Sequence, residues 1–371
     1  MAIHHPDVVV AGAGIVGLSA ACELAKRGAR TVVLDRGQTG REASYAAGGI
    51  LSPQAEAAPD SPLLALALKA RARHTALAAE LQSQTGIPVE HQTDGVLSLA
   101  FSAKEENELR SLTQAQRQLG LRANMVSRDD LRSLESSVHD DAVGAALFPD
   151  DHRVDNRRLM DALKALAIKR GVEIAEFTTV RSIESEHGRV TAVRTDHDRI
   201  ETRAVINALG AWANDLQGCG DTVRIRPVKG HMMALIGGPK VQHVVYGHHG
   251  YIVPRMDGRL IVGSTMEEVG FDTVVTAAGI ARLISIATLI VPATGQASIS
   301  EMWTGLRPAT PDGLPVIGRG RIEGLVVAGG LFRNGILLGP LVGEMVAALA
   351  LGETPSVDLS AFRPDRFTST A

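Results

Sequence analysis

Three glycines near the start of the chain, Gly12, Gly14 and Gly17, form the pattern G-x-G-x-x-G. The first glycine of such a turn permits a tight bend, the second lets the backbone approach a pyrophosphate, and the third lets a helix pack closely on a strand. Asp35 ends the next apolar run, eighteen residues after Gly17, and its carboxylate can accept hydrogen bonds from ribose hydroxyls. The spacing predicts a dinucleotide site; a chance glycine-rich turn in an ordinary α/β domain is the alternative.

Further glycine-rich apolar segments return only at residues 205–211 and 325–340. A nicotinamide enzyme would usually continue as a regular alternation of strands and helices after its first turn. This chain departs from that order at once, so the segments that would touch the dinucleotide are far apart in sequence. An extended FAD fits this arrangement better than NAD does.

The elements that must position these residues begin with a strand–turn–helix–strand unit. Residues 7–11 and 31–34 are short apolar runs typical of buried parallel strands, and the helix between them ends at Gly28. Residues 36–54 predict a close-fitting loop that contains a short helix. We predict further helices at residues 61–84, 103–119, 127–134, 155–171, 276–290 and 335–351, and β-rich segments at residues 95–101, 173–183, 189–195, 203–208, 223–265 and 324–328.

The composition is that of a globular protein with a sizeable core. The chain has 371 residues, 45% of them hydrophobic, and its net charge of -3 lacks the basic footprint of a nucleic-acid-binding protein. Its two cysteines cannot form a disulfide framework, and this usage fits a reducing cytoplasm. The first seven residues lack the features of a signal peptide, and the apolar stretch at residues 325–351 is too interrupted to span a membrane. No metal-ligand cluster is apparent.

The predicted fold class is α/β, with a Rossmann-like FAD-binding domain and an interleaved substrate domain built on a mixed β-sheet. Because the nucleotide signals are spread along the chain, we expect the FAD-binding domain to be discontinuous. We assign residues 1–80, 150–215 and 305–371 to it, and residues 81–149 and 216–304 to the substrate-binding domain.

Several segments resemble the D-amino acid oxidase superfamily of FAD-dependent oxidoreductases, and within it the glycine oxidase branch associated with thiamine synthesis. Besides the glycine-rich opening they are residues 40–54 (GREASYAAGGILSPQ), 207–212 (NALGAW), 227–230 (PVKG), 263–267 (GSTME), 303–308 (WTGLRP) and 332–338 (FRNGILL). The resemblance extends over nearly the whole chain, and the last two motifs are specific to amine-oxidising members. It departs at Leu331, where many glycine oxidases have histidine.

Carried over position by position, the resemblance implies a noncovalent FAD site. Members with covalent flavin carry a cysteine near the flavin ring, and neither Cys22 nor Cys219 stands in such a motif. The residues expected at FAD are Gly12, Gly14, Ile15, Val16, Gly17, Asp35, Arg36, Ala43, Ser44, Gly48, Gly49, Ile50, Val180, Leu331, Phe332, Arg333, Asn334, Gly335, Ile336 and Leu337.

The resemblance also implies that Arg307 binds the substrate carboxylate, with Tyr251 and Arg333 beside it. A planar guanidinium holds a carboxylate through two parallel hydrogen bonds, which fixes both charge and orientation. The alternatives are a surface ion pair for Arg307, an ordinary half-buried strand residue for Tyr251, and a purely structural role for Arg333 in holding the flavin loop.

The activity implied is FAD-dependent oxidative deamination of glycine, sarcosine or small D-amino acids. The products are the oxo acid, ammonia and hydrogen peroxide, formed by hydride transfer to flavin with no side-chain base. Oxygen is the expected acceptor, and the family suggests a homodimer or homotetramer. The alternatives are a D-amino acid dehydrogenase or a cyanide-forming glycine dehydrogenase that uses another acceptor, and, more distantly, a non-catalytic flavin-binding module.

Overall fold

The computed structural model describes residues 5–219 and 224–367. Residues 1–4, part of the N-terminus for which no signal peptide is predicted, lie outside the described residues, and so does Val223, where the predicted β-rich region starts. Among the described residues, none of the helices combines the length and the apolar character that crossing a membrane requires.

The helices follow the sequence prediction closely, and several begin at a capping side chain. Ser61, Asp155 and Thr276 each accept a backbone N–H at a helix N-terminus, which satisfies a donor that has no partner within the helix. The α-helices of the described residues are α1 (Ile15–Lys26), α2 (Ala43–Ala46), α3 (Pro53–Glu56), α4 (Pro62–Thr85), α5 (Ala103–Gln118), α6 (Arg128–Leu134), α7 (Asn156–Lys169), α8 (Ala277–Ile290) and α9 (Gly335–Ala350).

The strands are more numerous than the sequence predicts, and they form four sheets. In the described residues they are β1 (Val8–Ala11), β2 (Thr31–Leu34), β3 (Ile50–Leu51), β4 (Val96–Ala100), β5 (Asn124–Ser127), β6 (Gly144–Phe148), β7 (His152–Arg153), β8 (Glu173–Ala175), β9 (Val180–Glu186), β10 (Arg189–Thr195), β11 (Arg199–Glu201), β12 (Ala204–Asn207), β13 (Arg226–Ile236), β14 (Val244–Gly247), β15 (Gly250–Pro254), β16 (Leu260–Gly263), β17 (Ser298–Ala309), β18 (Val316–Arg319) and β19 (Leu325–Gly329).

A six-stranded sheet in the order β18-β19-β12-β1-β2-β8 forms the centre of the α/β part. β1 pairs in parallel with β2 and β12, and only the edge strand β18 is antiparallel to its neighbour. Buried side chains of α1, α4, α7 and α9 share one hydrophobic cluster with β1, and the three-stranded sheet β11-β10-β9 shares another with it. Gly12, Asp35 and Ala208 directly follow the carboxyl ends of β1, β2 and β12, so they lie at the same edge of the sheet.

A second sheet of eight strands has the order β17-β13-β16-β15-β14-β4-β6-β5. It is antiparallel except for the parallel pair of β14 and β4. One face packs on α8 in a cluster that contains Leu283 and Ile286, while Met232 and Tyr251 occupy a separate cluster. Alternation along the strands thus gives this mixed sheet one face for the core and one face for a cavity.

The predicted α/β class with a parallel and a mixed sheet is confirmed, with one correction in the strands. Residues 173–183 do not form one β-rich unit, because β8 joins the six-stranded sheet and β9 joins the three-stranded sheet. The strands β5, β6, β17 and β18 were not predicted individually.

Candidate active site

The glycine-rich turn between β1 and α1 is built on two close backbone approaches. Gly12 has a φ of +104°, and a Cβ there would lie 2.4 Å from the carbonyl oxygen of Ala208. A Cβ on Gly17 would lie 1.8 Å from the carbonyl oxygen of Gly12. These two glycines are therefore needed by the fold itself. Gly14 differs, since a Cβ there would meet only the Ser44 hydroxyl, at 3.4 Å.

Asp35 and Ser44 hold this turn from the side. The two carboxylate oxygens of Asp35 accept backbone N–H groups of Ala13 at 2.7 Å and Gly37 at 2.9 Å. Burial raises the pKa of Asp35, and these two donors oppose the rise. The Ser44 hydroxyl accepts the N–H of Ile15 at 3.0 Å, at the start of α1. Each Asp35 oxygen retains a lone pair for a further donor such as a ribose hydroxyl.

The loop of residues 43–50 is tied to the rest of the molecule by two buried side chains. Arg255 donates to the carbonyl oxygen of Gly48 at 3.1 Å and to the side chain of Asn156 at 2.8 Å. Asn156 in turn donates to the carbonyl oxygen of Ser44 at 2.8 Å. Burial lowers the pKa of Arg255 to about 10, so this anchor stays charged at neutral pH.

The turn, this loop and the mixed sheet enclose one large cavity. Counted together with the open solvent at its mouth, the empty space between them is about 1490 Å³. Most of the residues expected at cofactor or substrate line it: Gly12, Gly14, Ile15, Val16, Asp35, Arg36, Ala43, Ser44, Gly48, Gly49, Ile50, Tyr251, Arg307, Leu331, Phe332, Arg333, Asn334, Gly335 and Ile336.

Three of the expected residues do not line the cavity. Gly17 lies behind the turn, where it lets α1 approach β1. Val180 begins β9 and packs its side chain in the core cluster behind the six-stranded sheet. Leu337 is buried in the core on α9, with 1% of its surface exposed. These three residues therefore support the cavity from behind and do not face it.

Arg307 lies on β17 with its guanidinium against the neighbouring strand. A Cβ on Gly230 would lie 2.3 Å from both terminal nitrogens of Arg307, so glycine at that position makes room for the planar group. One nitrogen donates to the carbonyl oxygen of Thr265 at 3.1 Å and the other to the Ser264 hydroxyl at 2.6 Å. These contacts fix the plane of the guanidinium.

No carboxylate of the described chain lies within ion-pair distance of Arg307, although the group is half-buried on the cavity wall. Burial lowers the pKa of Arg307, but an arginine remains cationic at any physiological pH. A cation removed from water without a counter-ion is costly, so this position favours an incoming anion. The charge and the geometry of Arg307 are therefore those that binding of a carboxylate requires.

Tyr251 is held beside Arg307 by two glycines. A Cβ on Gly263 would lie 2.6 Å from the tyrosine ring, and a Cβ on Gly48 would lie 3.1 Å from it. The ring is 8% exposed, and its hydroxyl contacts the sulfur of Met232 at 3.5 Å. A thioether is a weak acceptor, so the hydroxyl is available to donate to an anion on Arg307.

Arg333 has a different environment from Arg307. Its guanidinium donates to Glu56 at 2.9 Å, and the Tyr246 hydroxyl donates to the same carboxylate oxygen at 2.6 Å. Burial disfavours the charge on Arg333, but Glu56 more than offsets this, so the pKa of Arg333 is raised. Burial and the carboxylate together raise the pKa of Tyr246. Glu56, Tyr246, Met232 and Ser264 were not found by sequence reasoning; of these, only Ser264 stands in a motif that carries the resemblance.

The comparisons with known proteins agree with this geometry. The sequence matches the profile described as FAD dependent oxidoreductase over residues 7–349. It is 36% identical to the glycine oxidase of Geobacillus kaustophilus over 97% of this chain and 96% of that protein. The crystal structure of the Geobacillus kaustophilus glycine oxidase superposes with a TM-score of 0.94 at 35% identity, covering 98% of this chain and 99% of that one.

Two other relatives differ from the Geobacillus kaustophilus enzyme: one is a longer, bifunctional protein and the other has a different name. The bifunctional protein ThiO/ThiG of a Synechocystis species is 37% identical over 98% of this chain, which spans only 54% of that protein. The hydrogen cyanide synthase subunit HcnC of Pseudomonas aeruginosa is 29% identical over 97% of this chain and 96% of that protein. The profile match and the full-length relatives place the chain in the family of FAD-dependent oxidoreductases.

Proposed function

We propose that this protein oxidises the amine of glycine and of other small amino acids, with FAD as the electron acceptor. The observation that carries the proposal is Arg307, a half-buried cation on the cavity wall that donates to neutral groups of Thr265 and Ser264 and lies within ion-pair distance of no carboxylate among the described residues. An amino-acid carboxylate would supply the missing anion. The names of the glycine oxidase relatives support this choice of substrate.

The chain itself orients and confines the substrate. Arg307 would bind the carboxylate through two parallel N–H donors, and the Tyr251 hydroxyl would donate to the same group. Met232 and Tyr251 form an apolar wall that limits the size of the group on the α-carbon. Glu56 is already paired with Arg333 and Tyr246, so no side chain is assigned as a base.

The residues that would hold the cofactor are those that line the cavity around the glycine-rich turn. Gly14 and Ile15, which line the cavity at the start of α1, would bind the pyrophosphate, and Asp35 would accept hydrogen bonds from the ribose. Leu331 and the residues that follow it up to Ile336 would border the flavin. When bound, FAD supplies the capacity to accept two electrons as hydride from the α-carbon of the substrate.

The test is an oxygen-uptake assay of the purified protein with glycine. We expect one glyoxylate, one ammonia and one hydrogen peroxide for each glycine, oxygen and water consumed. Glycine betaine, which has the carboxylate but no N–H, is the matched control and should not react. Flavin that glycine reduces without oxygen, but that gives no peroxide in air, would instead indicate an enzyme with another acceptor.

The dehydrogenase alternatives are less favoured. The hydrogen cyanide synthase subunit is a more distant relative than the Geobacillus kaustophilus glycine oxidase, at 29% against 36% identity. A D-amino acid dehydrogenase or a cyanide-forming enzyme would also need an acceptor other than oxygen. The oxygen-uptake assay distinguishes both from an oxidase.

We expect the FAD to be noncovalent, and acid precipitation to release it completely into the supernatant. The only two cysteines of the chain, Cys22 and Cys219, are both buried, and neither lines the cavity. Burial raises the pKa of Cys22 to about 12 and that of Cys219 to about 11, so neither is a reactive thiolate. Yellow colour that stays with the precipitate would contradict this prediction.

The domain division, the cellular location and the oligomeric state of the protein are also proposals. The chain would divide into an FAD-binding domain of residues 1–80, 150–215 and 305–371 and a substrate-binding domain of residues 81–149 and 216–304. The strands of the six-stranded sheet all belong to the first set, which supports the division, while β17 crosses residue 305 and links the two. We place the enzyme in the cytoplasm, because its cysteine usage fits a reducing compartment, and we propose a homodimer or homotetramer that serves thiamine synthesis, as the resemblance to the glycine oxidase branch implies.

A further inference from the structure

The cavity contains two arginines with opposite electrostatic settings. Arg307 has no carboxylate partner in the described chain, whereas Arg333 forms an ion pair with Glu56 at 2.9 Å. The side chain of Glu56 is 12% exposed, and that of Arg333 is 36% exposed. This end of the cavity therefore offers one uncompensated positive charge, although it contains two guanidinium groups.

The carboxylate of Glu56 is held in place by the fold. It stands at the end of α3, and the N-terminal part of that short helix is bound by Asp151, which is fully buried. Asp151 accepts the Ser52 hydroxyl and the backbone N–H groups of Gln54 and Ala55, the latter two at 3.1 Å each. A rigid support of this kind keeps the charge of Glu56 at the cavity wall.

The Tyr246 hydroxyl adds a second constraint on Glu56. It donates to the carboxylate oxygen that also accepts from Arg333. An anion that approached Arg333 from the cavity would have to share it with this fixed carboxylate, and like charges at close range repel strongly where water is excluded.

We propose that Glu56 is a specificity-determining residue that restricts the enzyme to amino acids with a single anionic group. By pairing with Arg333, it prevents that arginine from accepting a second carboxylate, whether on the amine substituent or on the α-carbon. Replacement of Glu56 by a neutral side chain turns Arg333 into a second anion site. This inference rests on the proposed amine oxidation at the same cavity.

The test compares sarcosine with iminodiacetate, which differ only in whether the group on nitrogen ends in hydrogen or in a carboxylate. The variable to measure is the ratio of kcat/KM for iminodiacetate to kcat/KM for sarcosine. In Glu56→Gln, which keeps the shape and the acceptor oxygen, we expect this ratio to rise at least about tenfold, the effect of one charge-assisted contact. The ratio of kcat/KM for D-aspartate to kcat/KM for D-alanine should also rise in this variant.

Two further variants make the result specific. Arg333→Gln leaves the Glu56 carboxylate without its cation, so the same ratio should fall below that of the wild type. Glu42→Gln is the matched control, because Glu42 is the other glutamate of the cavity wall and pairs with Arg36 at 2.7 Å instead. It should leave the ratio unchanged. The expected result is therefore a higher kcat/KM ratio in Glu56→Gln, a lower ratio in Arg333→Gln and the wild-type ratio in Glu42→Gln.

The outcomes separate this inference from the proposed function. If Glu56→Gln oxidises sarcosine with an unchanged ratio, the specificity role of Glu56 is wrong and the proposed function stands. If neither wild type nor variant reduces its bound flavin with glycine or with any of these amines, the proposed function itself fails. If Glu56→Gln does not fold, Arg333→Gln decides alone, since an unchanged ratio there overturns the inference.

Discussion

Gly14→Val should give a folded protein that contains almost no FAD. The backbone of Gly14 has a φ of −74°, which valine adopts easily, and the only atom near its Cβ position is the Ser44 hydroxyl at 3.4 Å. The branched side chain would instead occupy the space through which a pyrophosphate approaches the start of α1. Flavin absorbance per mole of purified protein, together with the melting temperature of the apoprotein, measures the two effects separately.

Two neighbouring substitutions provide the controls. Gly37→Val introduces the same side chain two residues after Asp35, where a Cβ would lie 3.9 Å from the nearest carboxylate oxygen and outside the cavity, so FAD content should be retained. Gly17→Ala should destabilise the fold itself, because its Cβ would lie 1.8 Å from a backbone oxygen. Wild-type FAD occupancy in Gly14→Val would show that the phosphate site is not at this turn.

The parts of the molecule that could be predicted from the sequence depend on short-range rules. The glycine spacing of residues 12–17 and the carboxylate of Asp35 lie within one strand–turn–helix–strand unit, so their spatial relation follows from the chain order. Ser61, at the start of the helix predicted for residues 61–84, likewise acts on a backbone N–H two residues away. Local geometry of this kind is independent of the rest of the fold.

The features that were missed depend on long-range contacts. Glu56 lies on a four-residue helix with no sequence signature of its own, and it reaches the cavity because the buried Asp151, far along the chain, binds that helix. The importance of Gly230 appears only when β13 pairs with β17 and places the Arg307 guanidinium against it. Pairing register between distant strands is not encoded in the pattern of either strand alone.

The position of Val180 shows the limit of assigning residues one by one from a resemblance. The resemblance implies a contact with FAD, but the side chain of Val180 is 5% exposed and packs against the residues of β1 and β2 that face away from α1. Only its backbone is left to face a ligand. A motif therefore predicts that a segment is near the cofactor more securely than it predicts which atoms touch it.

Arg307→Lys should lose most of its catalytic efficiency on glycine, although the positive charge is kept. Arginine presents two parallel donors to a carboxylate, whereas lysine is a flexible point charge that also lacks the contacts to Thr265 and Ser264 that orient the guanidinium. Loss of part of a charge-assisted contact costs on the order of 1.5–3 kcal/mol, which lowers kcat/KM roughly tenfold to a hundredfold.

The pattern across substrates distinguishes this cause from general damage. The loss should be similar for glycine, sarcosine and D-alanine, because all three share the carboxylate, and much smaller for simple amines that have none. FAD content should stay at the wild-type level, since Arg307 is assigned to the substrate. Arg282→Lys, the same replacement at an exposed position on α8, should behave as the wild type. Unchanged efficiency in Arg307→Lys would remove this arginine from the substrate site, and loss of flavin would give it a structural role. A defect confined to substrates that have a carboxylate is expected only if Arg307 contacts that carboxylate.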